Sequence, residues 1–452
     1  MKIIIVGLGK VGETLTAQLN EEGNDIIIID QNADRVKSVS TKYDVMGVIG
    51  NGATREVQKE AGVDSADLLI AVTGSDELNL LCCLFAKKSG NCQTIARIKN
   101  PEYSTDAAYI KSELGLAMVI NPEYAAAQEI ARILNFPSAI KIDTFAKGKV
   151  EILKVKLPEG SSLVGKSVRD VVDKLRCNVL VCTVERGGDA FIPKGDFLFE
   201  ENDLISIVSS PRSAMSFFKK IGYNIQPAKS IIIAGGGNIA HYLCEMLEHS
   251  GVHAKVIEKN PATCSELCEK FQKTTIINGD ATDEATLREE GIATSDAFVA
   301  LAGIDEENIL LSLFARNEGS QKIITKINRI EYNEVIDRLD LGSIIYPKHI
   351  TADLILRYVR ARKNRHGSSM ETLYNIIKGK VEAIEFSISE GSALIGRTIA
   401  ELKIKESVLI AAILRGRSVI IPRGQDTFQS GDSVVIVTKD LTLHNINDAI
   451  KR

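Results

Sequence analysis

The stretch IIIVGLGKVGETLTAQLNEEGNDIIIID, from Ile3 to Asp30, contains two short apolar runs separated by a glycine-rich turn and an amphipathic segment. Gly7, Gly9 and Gly12 form the pattern G-x-G-x-x-G directly after the first run. In such loops the first glycine permits a tight turn, the second lets a phosphate approach the backbone, and the third lets helix and strand pack closely. Asp30 stands eighteen residues after Gly12, where a carboxylate accepts hydrogen bonds from ribose hydroxyls. The stretch therefore predicts a dinucleotide site, and Asp30 favours NAD(H) over NADP(H) because it would repel a 2′-phosphate.

A second stretch, IIIAGGGNIAHYLCEMLEHSGVHAKVIE from Ile231 to Glu258, repeats this arrangement with changes. Gly235 and Gly237 keep the first two glycine positions, and Ala240 takes the third, which is an accepted variant. Glu258 stands where the first stretch has its acid and is longer by one methylene. The chain is therefore expected to contain a second nucleotide site that differs in detail from the first.

The residue after the second glycine differs between the two loops. The first loop has Lys10 and the second has Asn238. A lysine can place its charge against a polyphosphate, whereas an asparagine cannot. We therefore expect the two sites to differ in nucleotide preference, with the first tolerating ATP or ADP better.

The two stretches belong to a repeat that covers a whole half of the chain. The glycine loops and the acids match at an offset of 228 residues, and so does Ala53-Thr54 with Ala281-Thr282. Beyond one inserted residue the offset becomes 229. The match extends to EGSSLVGKSV, from Glu159, and EGSALIGRTI, from Glu390. Each half therefore consists of a larger part followed by a smaller C-terminal part.

Hydrophobic periodicity indicates the fold of each part. In the larger part, continuously apolar runs alternate with helical patterns, which is typical of parallel βαβ units with helices on both faces. The smaller part shows an alternating strand, a helical pattern and further strands, as expected of a small α+β module. The sequence thus predicts an α/β protein with two tandem Rossmann-type doubly wound parallel sheets, each followed by a small α+β C-terminal module. The predicted domains are 1–135 and 230–360 for nucleotide binding, and 140–221 and 371–452 for the modules.

The remaining site candidates follow from the position of ligands in open α/β sheets, beyond the carboxyl ends of the strands. Arg97 is the best candidate to pair with a phosphate, since its guanidinium can bind bidentately. The alternative for Arg97 is a surface salt bridge. The other residues expected at these strand ends are Asn51, Gly52, Thr73 and Gly74 in the first half, and Asp280, Ala302 and Lys326 in the second.

Composition excludes several classes of function. The net charge of −4 argues against a nucleic-acid-binding protein, which usually carries a basic surplus. No apolar run approaches the roughly 18 residues needed to span a bilayer, and the N-terminal run is too short for a signal peptide. The eight cysteines contain no C-x-x-C pair and complete no zinc set, so we expect free thiols and no metal. These features together favour a cytosolic protein.

Two functional hypotheses remain at this stage. An NAD-dependent oxidoreductase with duplicated Rossmann domains would need a general base near the nicotinamide. His241 follows the second loop, but the first repeat has Glu13 at that position, so the base does not recur. The other hypothesis is a ligand-controlled regulator, because two unequal sensors suit a conformational switch. Fold alone does not decide between them.

The motifs of both halves carry a resemblance to a known family. GLGKVG with Asp30, AVTGSDELN, ARIKNPEY, INPEYAAAQEIARIL and the trailing EGSSLVGKSV, IPKGD and END resemble the family that regulates conductance of K⁺, the RCK family. The duplicated arrangement resembles its tandem members, which serve as peripheral cytosolic subunits of potassium uptake systems. The resemblance covers essentially the whole chain. It implies a homo-oligomeric ring, a dimer or tetramer, docked beneath a TrkH- or TrkG-like membrane subunit that transports potassium and gated by NAD(H) and ATP or ADP.

The same resemblance assigns roles to particular residues. It implies that the first loop cradles phosphates, that Asp30 holds ribose, and that Thr73, Gly74 and Arg97 close the first pocket. Ala302 lacks the hydroxyl of Thr73, which weakens the assignment there. The predicted helix Glu123–Leu134 is a candidate subunit interface, with packing inside one chain as the alternative. The residues assigned to phosphate and ribose are Gly7, Leu8, Gly9, Lys10, Val11 and Asp30 in the first half, and Gly235, Gly236, Gly237, Asn238, Ile239 and Glu258 in the second.

Overall fold

The structure is a computed structural model. It describes residues 1–450 except 91, 105, 137–139, 146–148, 158–159, 176–177, 222–227, 249, 330–335, 337–338, 340, 364–369, 378, 391, 393, 417, 442 and 444. Cys177, Glu331 and Tyr332, and residues 222–227 and 364–369, therefore lie outside the described residues.

The first half begins with a six-stranded parallel sheet in the order β3-β2-β1-β4-β5-β6, which is that of a Rossmann fold. Continuously buried runs such as Leu68–Ala71 form its strands because helices cover both faces. The strands are β1 (Lys2–Val6), β2 (Asp25–Asp30), β3 (Met46–Ile49), β4 (Leu68–Ala71), β5 (Gln93–Arg97) and β6 (Met118–Ile120). The helices are α1 (Lys10–Glu21), α2 (Ala33–Tyr43), α3 (Arg55–Glu60), α4 (Asp76–Ser89), α5 (Pro101–Ser104), α6 (Ala107–Glu113) and α7 (Pro122–Asn135).

A small antiparallel module follows, with strand order β10-β9-β11-β8-β7. Its strands are β7 (Lys141–Phe145), β8 (Val150–Lys156), β9 (Val179–Arg186), β10 (Asp189–Phe191) and β11 (Leu204–Ser209), and its helices are α8 (Val168–Leu175) and α9 (Pro211–Lys220). The sequence patterns predict β8, β9, β11 and both helices to within about a residue. They do not predict β7 and β10, which form the two edges of the sheet.

The second half repeats both parts. Its parallel sheet has the matching order β14-β13-β12-β15-β16-β17, and its antiparallel module has the order β18-β19-β22-β20-β21. The parallel strands are β12 (Ser230–Ala234), β13 (His253–Glu258), β14 (Thr275–Asn278), β15 (Ala297–Ala300), β16 (Lys322–Lys326) and β17 (Ser343–Ile345). The helices are α10 (Asn238–Leu247), α11 (Pro261–Lys270), α12 (Glu284–Glu289), α13 (Asp305–Asn317) and α14 (Pro347–Lys363). The module strands are β18 (Met370–Ile377), β19 (Val381–Ser387), β20 (Val408–Arg415), β21 (Ser418–Ile420) and β22 (Ser433–Thr438). The predicted fold class is confirmed.

Strand register corrects the alignment of the two halves. Asp30 pairs with Ile49, whereas Glu258 pairs with Asn278, so the extra residue enters before the third strand. The offset is therefore already 229 at the turn that follows. The residues at the start of the next helix confirm this, because Thr54 and Asp283 occupy the same N-cap position. The sequence-based match of Ala53-Thr54 with Ala281-Thr282 was wrong by one residue.

The described chain forms two compact units, each contributed by both halves. The first unit contains residues 1–131 and 228–356, with the two parallel sheets, and the second contains 132–227 and 357–452, with the two antiparallel modules. In the second unit, apolar residues of the two modules form one shared cluster that includes Ile152, Val208, Ala411 and Val435. Across the described residues, no helix has the length and apolar character required to cross a membrane.

Burial bears on helix α7 and on the cysteines. Helix α7 buries Ala127, Ile130 and Leu134 within the chain, whereas Tyr124 is 39% exposed. The three buried residues pack internally, and the subunit interface on this helix stays a prediction. The described cysteines are free thiols, and all except Cys268 are buried. Nowhere in the described parts of the chain do three or more His, Cys, Asp or Glu side chains gather as a metal site requires.

Candidate nucleotide-binding sites

The first glycine loop joins β1 to α1 and uses each glycine for a separate reason. Gly7 has φ +97°, and a Cβ there would lie 2.8 Å from backbone atoms of Thr73. A Cβ on Gly12 would lie 1.9 Å from the carbonyl oxygen of Gly7, so helix and strand are in close contact. A Cβ on Gly9 would meet nothing within 4 Å, which leaves that side open for an incoming phosphate.

Asp30 braces this loop from the end of β2. Its Oδ2 accepts a hydrogen bond of 2.6 Å from the Leu8 amide, and its Oδ1 accepts one of 2.9 Å from the Asn32 amide. Each carboxylate oxygen retains further acceptor capacity for a sugar hydroxyl. Glu258 repeats the arrangement through the amides of Gly236, at 2.7 Å, and Asn260, also at 2.7 Å. The longer side chain of the second acid is therefore accommodated without loss of the brace.

The first cleft has a volume of about 370 Å³, within the usual range for small-ligand pockets. It combines the acid with two arginines, and its lining includes no histidine or lysine. A site of this composition can bind sugar hydroxyls and phosphates. The lining residues are Val6, Gly7, Gly9, Ile29, Asp30, Gln31, Arg35, Gly50, Gly52, Val72, Thr73, Gly74, Leu78 and Arg97.

Polar groups at the ends of β4 and β5 are held by one buried amide. The Oδ1 of Asn79 accepts hydrogen bonds from the Thr73 amide, at 2.7 Å, and from its hydroxyl, at 2.8 Å. The Nδ2 of Asn79 donates to the Arg97 carbonyl at 2.9 Å. The Nε of Arg97 is buried and makes no hydrogen bond among the described residues. Arg97 also lines the first cleft, where its guanidinium could pair with a phosphate, in agreement with the first of its two sequence-based interpretations.

A second cavity of about 380 Å³ opens at the second glycine loop. Lys10 and Glu123, both from the first half, contribute to its lining. The structure thus places the lysine of the first loop at the second loop, and the first cleft is lined without it. The expectation that Lys10 serves polyphosphate in the first site stays a prediction, and the structure places this lysine in the lining of the second cavity. The cavity is lined by Lys10, Glu123, Gly237, Asn238, Ile239, Ala240, Leu301, Lys326, Asn328 and Pro347.

The charged groups of this cavity are partly desolvated. Burial lowers the pKa of Lys326, whose Nζ donates to the Leu301 carbonyl at 3.0 Å. Burial raises the pKa of Glu123, while the charges of Arg97 and Lys99 act in the opposite direction. Burial also lowers the pKa of Lys10. Bringing an anion close to Lys10 and Lys326 would favour their charged forms, so the cavity is suited to phosphate.

The second half departs from the first where Ala302 replaces Thr73. Asn308 occupies the position of Asn79, and its Nδ2 donates to the carbonyls of Ala302 and Lys326. Its Oδ1, however, is buried and has no hydrogen-bond partner among the described residues. The missing hydroxyl therefore removes one of the two groups that satisfy the equivalent oxygen in the first half.

The structure brings most of the predicted residues together but assigns some of them other roles. Leu8 contributes its amide to the brace, and Val11 is buried. Asn51 and Asp280 stabilise their turns by accepting hydrogen bonds from Ala53 and Thr282. The predicted residues outside the lining of either cavity are Leu8, Val11, Gly12, Asn51, Gly235, Gly236, Glu258, Asp280 and Ala302.

Sequence reasoning missed Arg35 in the first cleft and Glu123 in the second. Arg35 lies in the first turn of α2, whose N-cap Asn32 accepts a hydrogen bond from its amide. Its planar guanidinium is suited to lie against a purine ring, and its position five residues after Asp30 is the signal that could have identified it. Glu123 carries no comparable signal, because its place in the second cavity depends on packing between the halves.

Each half therefore contains a Rossmann-type sheet with a glycine loop, an acid that braces it and a small antiparallel module, which defines a duplicated protein of the Rossmann class. The TrkA-N domain family matches residues 3–122 and 231–347, and the TrkA-C domain family matches residues 152–222 and 383–450. The chain belongs to the TrkA family.

Individual relatives agree over nearly the full length. A Trk system potassium uptake protein TrkA homolog 1 from Methanosarcina mazei is 34% identical and covers 96% of this chain and 97% of its own. The Trk system potassium uptake protein TrkA from Haemophilus influenzae is 32% identical and covers 97% and 96%, respectively. The solved structure of the GsuK channel bound to NAD matches with a TM-score of 0.63 and 19% identity, over 97% of this chain and 77% of that one. At that identity the likeness concerns the fold.

Proposed function

We propose that this protein is the cytosolic regulatory subunit of a potassium uptake system. It binds NAD(H), ATP or ADP at its glycine loops and gates a TrkH- or TrkG-like membrane subunit that transports potassium. The observation that carries the proposal is the first cleft, where a braced glycine loop, Asp30 and Arg97 provide for ribose and phosphate. The names of the full-length relatives supply the transport system.

The proposed assembly is a homo-oligomeric ring, a dimer or tetramer, at the inner face of the membrane. Regulation requires that nucleotides bind two conformations with different affinities, because a ligand shifts an equilibrium only through that difference. The two unequal cavities of the first unit give nucleotides two different sites at which to act. Co-purification with the membrane subunit, and potassium flux through the reconstituted complex with each nucleotide, test this part of the proposal.

The alternative, a dehydrogenase with two Rossmann domains, is disfavoured by the first cleft, whose lining has no histidine or lysine. The two functions differ in a simple measurement. Nicotinamide absorbance that changes with turnover in the presence of candidate metabolites would support the dehydrogenase. Nucleotide binding with no turnover supports the regulator.

Removal of the Asp30 or the Glu258 carboxylate should weaken nucleotide binding at one site only. We expect Asp30→Ala to weaken nucleotide binding at the first site by about tenfold or more, and Glu258→Ala at the second, because each loses a ribose acceptor and the brace of its loop. Calorimetry with NADH, NAD, ATP and ADP measures both. Asp25→Ala removes an exposed carboxylate from the opposite end of β2 and serves as the control. Unchanged binding in both acid variants would refute the assignment.

The substitution Lys10→Asn tests which of the two sites uses this lysine to bind polyphosphate. Because Lys10 lines the second cavity, the substitution should weaken ATP and ADP there by about threefold to tenfold and leave the first cleft unaffected. The measurement uses the Asp30→Ala and Glu258→Ala backgrounds, in which one site remains. A loss confined to the first cleft would show that the lysine acts within its own half.

A further inference from the structure

Tyr242 is a buried side chain of the second half that contacts the first half. It lies on α10, one helical turn after Asn238, and is 2% exposed. Its hydroxyl donates a hydrogen bond of 3.2 Å to the Lys99 carbonyl and accepts one of 2.8 Å from the Nδ2 of Asn121. Its ring packs edge-on against Tyr124 at 5.5 Å.

The two groups that meet this hydroxyl follow the carboxyl ends of β5 and β6. Lys99 follows β5 by two residues, and β5 ends at Arg97, which lines that cleft. The Lys99 amide is held on its other side by Asp76, at 3.0 Å. Asn121 follows β6, and its Oδ1 accepts a hydrogen bond from the amide of Tyr124 at the start of α7.

Tyr242 is connected through helix α10 to the second glycine loop. Helix α10 begins at Asn238, directly after Gly237, and both residues line the second cavity. A helix moves as a stiff body over one turn, so a displacement at its N-terminus reaches the Tyr242 hydroxyl. A phosphate that draws Arg97 toward the first cleft acts on the same hydroxyl from the opposite side.

The equivalent position of the first half does not carry a side chain of this kind. At the offset of 228 residues, Tyr242 corresponds to Thr14 on α1. The Thr14 hydroxyl donates to the Lys10 carbonyl of its own helix at 2.8 Å. The threonine side chain is also too short to reproduce the reach of a tyrosine.

We infer that Tyr242 is a positioning residue that couples the two nucleotide sites energetically. This inference rests on the proposed function, because it needs both sites to bind. Occupation of one site changes the affinity of the other through the Tyr242 hydroxyl, Lys99 and Asn121. By linkage the effect is reciprocal, and couplings of this kind are typically about 5–150-fold.

Calorimetry of the full chain with ADP tests the inference. Asp30→Ala and Glu258→Ala each isolate one site and give its intrinsic affinity, and the two-site chain gives the coupling factor. We expect a factor of about fivefold or more with Tyr242 present. In Tyr242→Phe the coupling factor should fall to within about twofold of one, the value for independent sites. The intrinsic affinity of each site should change by less than about threefold. Thr14→Val is the matched control and should keep the coupling.

Three results would overturn the inference. A coupling factor of one in the unsubstituted chain, or an unchanged factor in Tyr242→Phe, removes Tyr242 from this role while leaving nucleotide binding intact. Absence of ADP binding in the unsubstituted chain overturns the proposed function and the coupling together. If Tyr242→Phe does not fold, Asn121→Ser takes its place, because serine retains an acceptor at the start of α7 and loses the contact with Tyr242.

Discussion

Gly12→Ala is expected to abolish most nucleotide binding at the first site and to leave the second site unchanged. The new Cβ would lie 1.9 Å from the Gly7 carbonyl oxygen, so the loop and α1 must separate. Overpacking of this kind costs about 1–3 kcal/mol and displaces the amides that face the phosphates. In the Glu258→Ala background, where the first site remains, calorimetry should show an affinity for ADP reduced by about tenfold or more.

The second half provides an internal control for this prediction. Its third glycine position is already Ala240, which is fully buried, so its loop accommodates the methyl group. In the Asp30→Ala background, Gly12→Ala should therefore leave the affinity of the second site within about twofold of its original value. Equal losses at both sites would show that the substitution disturbs the whole unit rather than one loop. Full retention at the first site would show that close contact of Gly12 with Gly7 is not required for binding.

Arg186→Met should destabilise the second unit by about 3 kcal/mol. Asp203 is fully buried, and Arg186 binds its two oxygens bidentately, each at 2.8 Å. Removal of the guanidinium leaves a buried carboxylate whose remaining partner is the Glu200 amide at 2.9 Å. Urea unfolding followed by circular dichroism measures the loss. The same pair recurs as Arg415 with Asp432, so Arg415→Met should cost a similar amount.

An exposed ion pair provides the control for the destabilisation expected of Arg186→Met, because its substitution also removes one positive charge. Lys42 and Glu13 are 3.0 Å apart, and their side chains are 56% and 42% exposed. Lys42→Met should therefore change the free energy of unfolding by less than about 1 kcal/mol. If Arg186→Met costs no more than Lys42→Met, the buried carboxylate does not depend on the arginine.

Local patterns in the sequence were sufficient for most of the fold. Alternation of apolar runs with helical periodicity predicts both parallel sheets, because strand and helix periods differ within a few residues. The glycines and the acid predict the loop and its brace, since both depend on spacing within about thirty residues. The sequence patterns did not predict the edge strands β7 and β10, which have only five and three residues. The alignment error near Ala53 arose because the position of the inserted residue could be located only from the strand register.

Sequence alone therefore determined that this chain contains two Rossmann-type halves, each with a phosphate loop and an acid, and two small modules. Only the tertiary structure decided that Lys10 lines the second cavity, that Ala127 and Ile130 of α7 are buried within the chain, and that Tyr242 reaches the Lys99 carbonyl beyond the end of β5. The physical reason is the separation in sequence between the residues that determine each feature. Loops and strands follow from neighbouring residues, whereas these three contacts depend on how surfaces separated in sequence pack together, which no local periodicity encodes.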